Sequence, residues 1–151
     1  MKTTEVLPHA QMMQFILGTW ISKPIYVAAE LGIADMLADG PKGIDELAHM
    51  TGTHGPLLYR VMRALASVGI FSETCDRNFE LTPMAEFLKD GAMRSIALMF
   101  NSVWHDKAWE KLLDSVRTGE VAFDKAHGMP AFDWLKEHPL TRCTISRGEC
   151  H

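Results

Sequence analysis

The sequence predicts a mainly α domain containing a winged helix with a small β-hairpin. Apolar residues recur at three- and four-residue steps over most of the chain. Glycines and prolines stand where those periodic stretches begin and end. One short segment, from Ile70 to Leu81, switches to the alternation of paired strands. At 151 residues and 47% hydrophobic content, the chain is large and apolar enough for one domain with a real core.

From His9 to Leu31 the apolar residues, among them Met12, Met13, Phe15, Ile16, Trp20 and Ile21, fall at nearly every helical angle instead of on one stripe. Such a helix must be covered on several sides, either by a partner chain or by a central place in the core. Pro24 is expected to kink or interrupt it, and Gly32 to end it before the apolar turn of Ile33, Met36 and Leu37. The loop DGPKG then resets the chain.

In GIDELAHMTG, Ile44, Leu47 and Ala48 share a face, Asp45 and Glu46 complement the first-turn dipole, and Gly52 supplies a stop. Pro56 suits a first helical position, and Leu57, Leu58, Val61, Met62, Leu65 and Val68 form an amphipathic stripe closed by Gly69. Ile70 and Phe71, a polar turn through Cys75 to Asn78, and Phe79 with Leu81 read as a short hairpin. Helix, turn, helix and hairpin in this order outline a winged helix.

Thr82 and Pro83 are expected to cap and open a helix through Met84, Phe87 and Leu88 that stops at Asp90 and Gly91. Ile96 to Phe100 is apolar on every side. Trp104, Ala108, Trp109, Leu112, Leu113 and Val116 recur at helical steps before Gly119, and Pro130 opens a last short helix ending at His138 and Pro139. The domain is therefore drawn over residues 1–139. Residues 140–151, LTRCTISRGECH, show no periodicity and are expected to fray.

Charge and composition narrow the function. A net charge of −4 provides no basic field for polyanions or anionic membranes, so neither nucleic acid nor membrane is an expected partner. Within the winged segment the bases Lys42, Arg60, Arg63 and Arg77 are outnumbered by Asp45, Glu46, Glu73, Asp76 and Glu80. The acids of the wing fall where phosphates would lie, so the alternative of a dimeric DNA-binding regulator is disfavoured, and Arg60 and Arg63 read as solvated or ion-paired helix-face residues. The amino terminus lacks a secretory signal's apolar run, which points to a cytoplasmic protein. Cys75, Cys143 and Cys150 are odd in number and unpaired in spacing, and Cys150 with His151 lacks two further ligands, so neither a disulfide framework nor a metal site is expected.

No catalytic residue is identified. A dinucleotide-type cofactor site needs closely spaced glycines after a strand, and the chain has no G-x-G and no alternating strand and helix series. Its seven histidines fall in no nucleophile or base motif. His105, between Trp104 and Trp109, has two readings, a pocket-facing group or a structural histidine among aromatics. The ten methionines are core filler by default, or a soft surface for apolar partners or ligands. A small-molecule-binding domain using the aromatic helix stays open on this ground.

Several segments carry a family resemblance: ELGIADML, the R-x-L-x-x-x-G-I-F run from Arg63 to Phe71, LTP from Leu81 to Pro83, and Val-Arg-Thr-Gly from Val116 to Gly119. Over residues 10 to 139 the chain resembles the amino-terminal region of two-domain S-adenosylmethionine-dependent O-methyltransferases of the caffeate and hydroxyneurosporene type. The resemblance implies a helical dimerisation module that intertwines with its copy in a homodimer. It also implies that S-adenosylmethionine serves the complete enzyme on a following Rossmann-like domain, with a bulky aromatic or polyketide-like acceptor. Met99, Phe100, Trp104 and Trp109, with His105 among them, are then candidates to line the acceptor pocket. Met12, Met13, Phe15, Ile16, Trp20 and Ile21 become candidates for the dimer interface, and the first helix for a reach into the partner's pocket. Family members continue past the EHP segment where this sequence reads LTRCTISRGECH. The expectation is a module truncated before its catalytic domain and inactive alone.

Overall fold

The structure, a computed structural model, describes residues 7–138; the expected irregular tail, 140–151, lies outside them. Helices dominate, as the periodicity requires. In chain order they are α1 (Pro8–Ile16), α2 (Thr19–Glu30), α3 (Ile33–Met36), α4 (Ile44–Thr51), α5 (Gly55–Ser67), α6 (Ala92–Phe100), α7 (Val103–Trp109), α8 (Leu112–Thr118), α9 (Ala122–His127) and α10 (Ala131–Glu137). Strands β1 (Lys42–Gly43), β2 (Phe71–Glu73) and β3 (Asn78–Leu81) form one antiparallel sheet in the order β1-β3-β2.

The core is where the amphipathic stripes converge. Leu47 of α4 and Met62 and Leu65 of α5 pack with Ile33 and Leu37 around α3, under Phe71 and Phe79 from the inner face of the hairpin, all essentially buried. Gly32 and Gly52 make the two tight exits, with φ of 67° and 63°, in the left-handed region that glycine enters without a Cβ clash. The helix, turn, helix, hairpin order is thus present, with α5 laid along β2.

Several expectations need correction. The long first helix breaks at Leu17 and Gly18, not at Pro24, and α2 runs on through that proline. Leu17 turns to φ −87° and ψ 3°, and the Trp20 amide donates to the Leu17 carbonyl at 2.9 Å, a tight turn beside the residue of lowest helix propensity short of proline. Pro24 lies inside α2, and its missing amide frees only the carbonyl of Trp20, a residue on the exposed side of the helix. The DGPKG loop ends in a strand: Lys42 pairs with Phe79 and Gly43 with Asn78. Two residues are too few for an alternation to show.

Thr82 does cap, accepting from the Ala85 amide at 3.2 Å while donating to the Ile70 carbonyl at 2.7 Å. The helix it opens is only a 3₁₀ turn, Ala85–Leu88, because Lys89 is already extended. The aromatic stripe expected from Trp104 to Val116 divides at Glu110 and Lys111 into α7 and α8, and α9 adds a helix that the periodicity did not announce.

Candidate functional site

Helix α1 stands on the outside of the fold with no buried residue. Met12, Met13, Phe15, Ile16 and Trp20 are all exposed, Phe15 by 72%, whereas Ile21 is half-buried against the core. Apart from His9 the helix, PHAQMMQFI, carries no ionisable side chain, so covering it desolvates no fixed charge. An apolar patch of this kind marks a surface built for association.

Helix α2, the 3₁₀ turn Ala85–Leu88 and α6 enclose an open apolar groove of about 380 Å³, walled by Ile25, Met84, Phe87 and Phe100, with Ser22 and Asn101 as polar groups. Of the acceptor-pocket candidates only Phe100 lines it; Met99 is half-buried and does not. Trp104, His105 and Trp109 belong to α7 and to a separate aromatic cluster. There Trp104 stacks on Trp134 at 5.4 Å and meets Phe123 edge-on at 6.0 Å, while Trp134 stacks on His138 at 3.8 Å. Phe100 touches both regions, since its ring meets His105 edge-on at 5.2 Å.

His105 lies within this cluster. The Trp109 indole Nε1–H donates to its Nδ1 at 3.1 Å, so Nδ1 carries no proton and Nε2 holds it. His127 Nε2 lies 2.8 Å from the Trp104 carbonyl and ties α9 to α7. Among the described residues no carboxylate or hydroxyl hydrogen-bonds to His105 to make it a base. Among the described residues no group of His, Cys, Asp and Glu is placed to hold a metal ion, and no helix is long and apolar enough to cross a membrane.

The outward face of α5 is engaged by its own hairpin. The Tyr59 hydroxyl donates to Glu73 at 2.8 Å, and Arg63 pairs with Glu73 at 3.6 Å. The Arg77 guanidinium lies 4.1 Å from the Tyr59 ring centroid. Asp76 and Arg77 both adopt φ of 60°, a turn that bends the wing back onto the helix. The hydrogen bond to Glu73, then burial and the Glu73 charge, push the Tyr59 phenol above its usual 10.0, against the lowering by Arg63 and Arg77. Arg63, an ion-paired helix-face residue as expected, is thus held beside an acid where a phosphate-binding arginine would need to be free.

Two cations that the sequence did not single out hold the helices together. Arg94 of α6 donates from Nε to the Ala29 carbonyl at 2.8 Å and from Nη1 to Asp35 at 3.0 Å, joining the end of α2 to α3. Lys23 of α2 donates to the Asn101 carbonyl at 3.0 Å and pairs with Asp106 of α7. A lysine inside an otherwise apolar helix was the available signal, but its partner lies 83 residues away.

Residues 13–90, more than half of the chain, match the family model described as the O-methyltransferase dimerisation domain. The chain belongs to that family. It is 46% identical over 131 residues to the phenazine O-methyltransferase PhzM of Lysobacter antibioticus, covering 85% of this chain and 38% of that protein. Among solved structures, LaPhzM superposes with a TM-score of 0.87 at 43% identity over 93% of this chain and 43% of the other. The neocarzinostatin O-methyltransferase NcsB1, solved with S-adenosylmethionine and 2-hydroxy-5-methyl naphthoic acid, gives 0.69 at 30% identity over 82% and 39%. The chain thus spans about two fifths of the length of these family members.

The described residues do not fit S-adenosylmethionine. Their sheet is wholly antiparallel, and the one strand that runs straight into a helix, β1 before α4, has Gly40 just ahead of it and Gly43 at its end without a G-x-G turn, so the backbone amides that receive such a cofactor at a parallel strand in a Rossmann-like domain are not assembled among them.

Proposed function

We propose that this chain is the dimer-forming, acceptor-pocket-walling module of an S-adenosylmethionine-dependent O-methyltransferase. The observation that carries the proposal is α1, an uncharged apolar helix without a buried residue in a chain of the dimerisation-domain family. Met12, Met13, Phe15, Ile16 and Trp20 form the contact with a second copy, and Ile21 passes from that contact into the core.

The winged helix of α4, α5 and the three-stranded sheet serves as a scaffold for this contact. The module occupies residues 1–139, and its setting is cytoplasmic. Phe100 lines the apolar groove and is followed edge-on by His105, which in turn meets Trp104 and Trp109, an aromatic series that suits a bulky aromatic acceptor presented to a methyltransferase domain. The naphthoic acid bound by NcsB1 supports that class of acceptor. Methyl transfer itself belongs to residues outside this module.

Light scattering on the 151-residue chain tests the reading. The expected result is twice the chain mass at micromolar concentration, and a clean monomer there overturns it.

A further inference from the structure

We infer that Lys23 is a positioning residue, a latch that seats the aromatic module α7–α10 on the helix leading to the dimer face. The distribution of polar contacts carries this. The winged body and α6 are joined to each other by the core and by Arg94. Between that body and α7–α10, the ion pair and long-range side-chain hydrogen bond among the described residues is that of Lys23 with Asp106, and the same ammonium donates to Asn101 at the junction. One ammonium spans the α6–α7 junction, holding the carbonyl of Asn101 just past the end of α6 and the carboxylate of Asp106 in α7.

Lys23 follows Trp20 by three residues, so its Cβ lies near the same face of α2 as the exposed indole. Phe100 precedes the bonded Asn101 carbonyl by one residue, and His105 precedes Asp106 by one. The contact therefore fixes the chain immediately beside the Phe100 and His105 rings. The helix α2 carries the Tyr26 phenol here as well, raised above 10.0 by burial and by the charges of Glu30 and Asp106. The consequence for an acceptor wall rests on the function proposed above; the latch itself does not.

Segment-resolved hydrogen exchange on the full chain tests it, with Lys23→Met, Lys23→Arg and Asp106→Asn. In K23M and D106N, amides of residues 103–137 are expected to exchange about fivefold faster or more, while α4, α5 and the hairpin keep their wild-type rates. K23R, which retains a cation and donors, stays near wild type. High salt accelerates residues 103–137 in the wild type and has little further effect in K23M, because the pair is partly exposed to screening. Unchanged exchange in residues 103–137, an equal acceleration along the whole chain in both K23M and D106N, or a K23R variant behaving as K23M overturns the latch. A monomer in light scattering defeats the dimer proposal and leaves this contrast intact.

Discussion

Phe79 shows how much rests on single side chains. It is fully buried on the inner face of β3, its backbone pairs with both Lys42 and Glu73, and its ring meets Tyr59 edge-on at 6.1 Å. Phe79→Ala removes that filling from the joint between sheet and helices and should cost about 3–5 kcal/mol in chemical denaturation; a loss below about 1 kcal/mol contradicts the core described. Tyr59 lies on the outer side of the same joint. Its folded pKa is raised, so the folded state holds the phenolic proton more tightly than the unfolded chain. The contribution of its bond to Glu73 is complete at neutral pH and is lost as pH rises above 10.0 through the folded value. Because the chain has two tyrosines, and Tyr26 is shifted the same way, the midpoints of both tyrosinate absorbance steps should lie above pH 10 in the native protein. Tyr59→Phe removes one of the two steps; a native step at or below pH 10 refutes the environment assigned to these phenols.

At the scale of elements, what was legible in the sequence followed the range of the physics. Helices α4 and α5 and the hairpin were readable because stripe, cap and stop fall within a dozen residues of one another, as with Ile44, Leu47 and Gly52. β1 was not, since Lys42 and Gly43 become a strand only through Asn78 and Phe79, far along the chain. The helix break was expected at Pro24 and not at Gly18 for a related reason: proline's lost hydrogen bond is visible in the sequence, but the exposure of Trp20, the residue whose carbonyl it leaves, is not. The candidate interface was legible as an excess of apolar residues. The groove was not, because Ile25, Met84 and Phe100 come from three separate elements. For α1 the excess makes a sharp expectation. Phe15→Glu with Ile16→Glu places two charges on a surface meant for burial, and light scattering should show the mass falling to that of one chain while the thermal melt of the core is retained. A dimer surviving both changes removes α1 from the interface.

On the scale of the whole molecule, fold and chemistry separate. The winged-helix outline invites a DNA-binding role, yet Tyr59 and Arg63 are tied to Glu73, Arg77 lies over the Tyr59 ring, and the net charge of −4 opposes a polyanion. Family membership equally does not confer methyl transfer on these residues. The chain covers 38% of the Lysobacter phenazine enzyme, and its described strands are all antiparallel. Binding S-adenosylmethionine requires a pocket that pairs the cofactor's ribose hydroxyls, its adenine edge and its methionine carboxylate. Each unmatched polar group forfeits roughly 1–3 kcal/mol on desolvation. The groove among α2, the 3₁₀ turn and α6 offers apolar walls with few polar groups, and so selects against such a ligand. Titration calorimetry of the 151-residue chain with S-adenosylmethionine should therefore give no saturable heat, and the cofactor should leave the melting temperature in place. Saturable binding at micromolar cofactor would mean that a cofactor site exists in this module after all, and the division between a structural half and a chemical half would have to be abandoned.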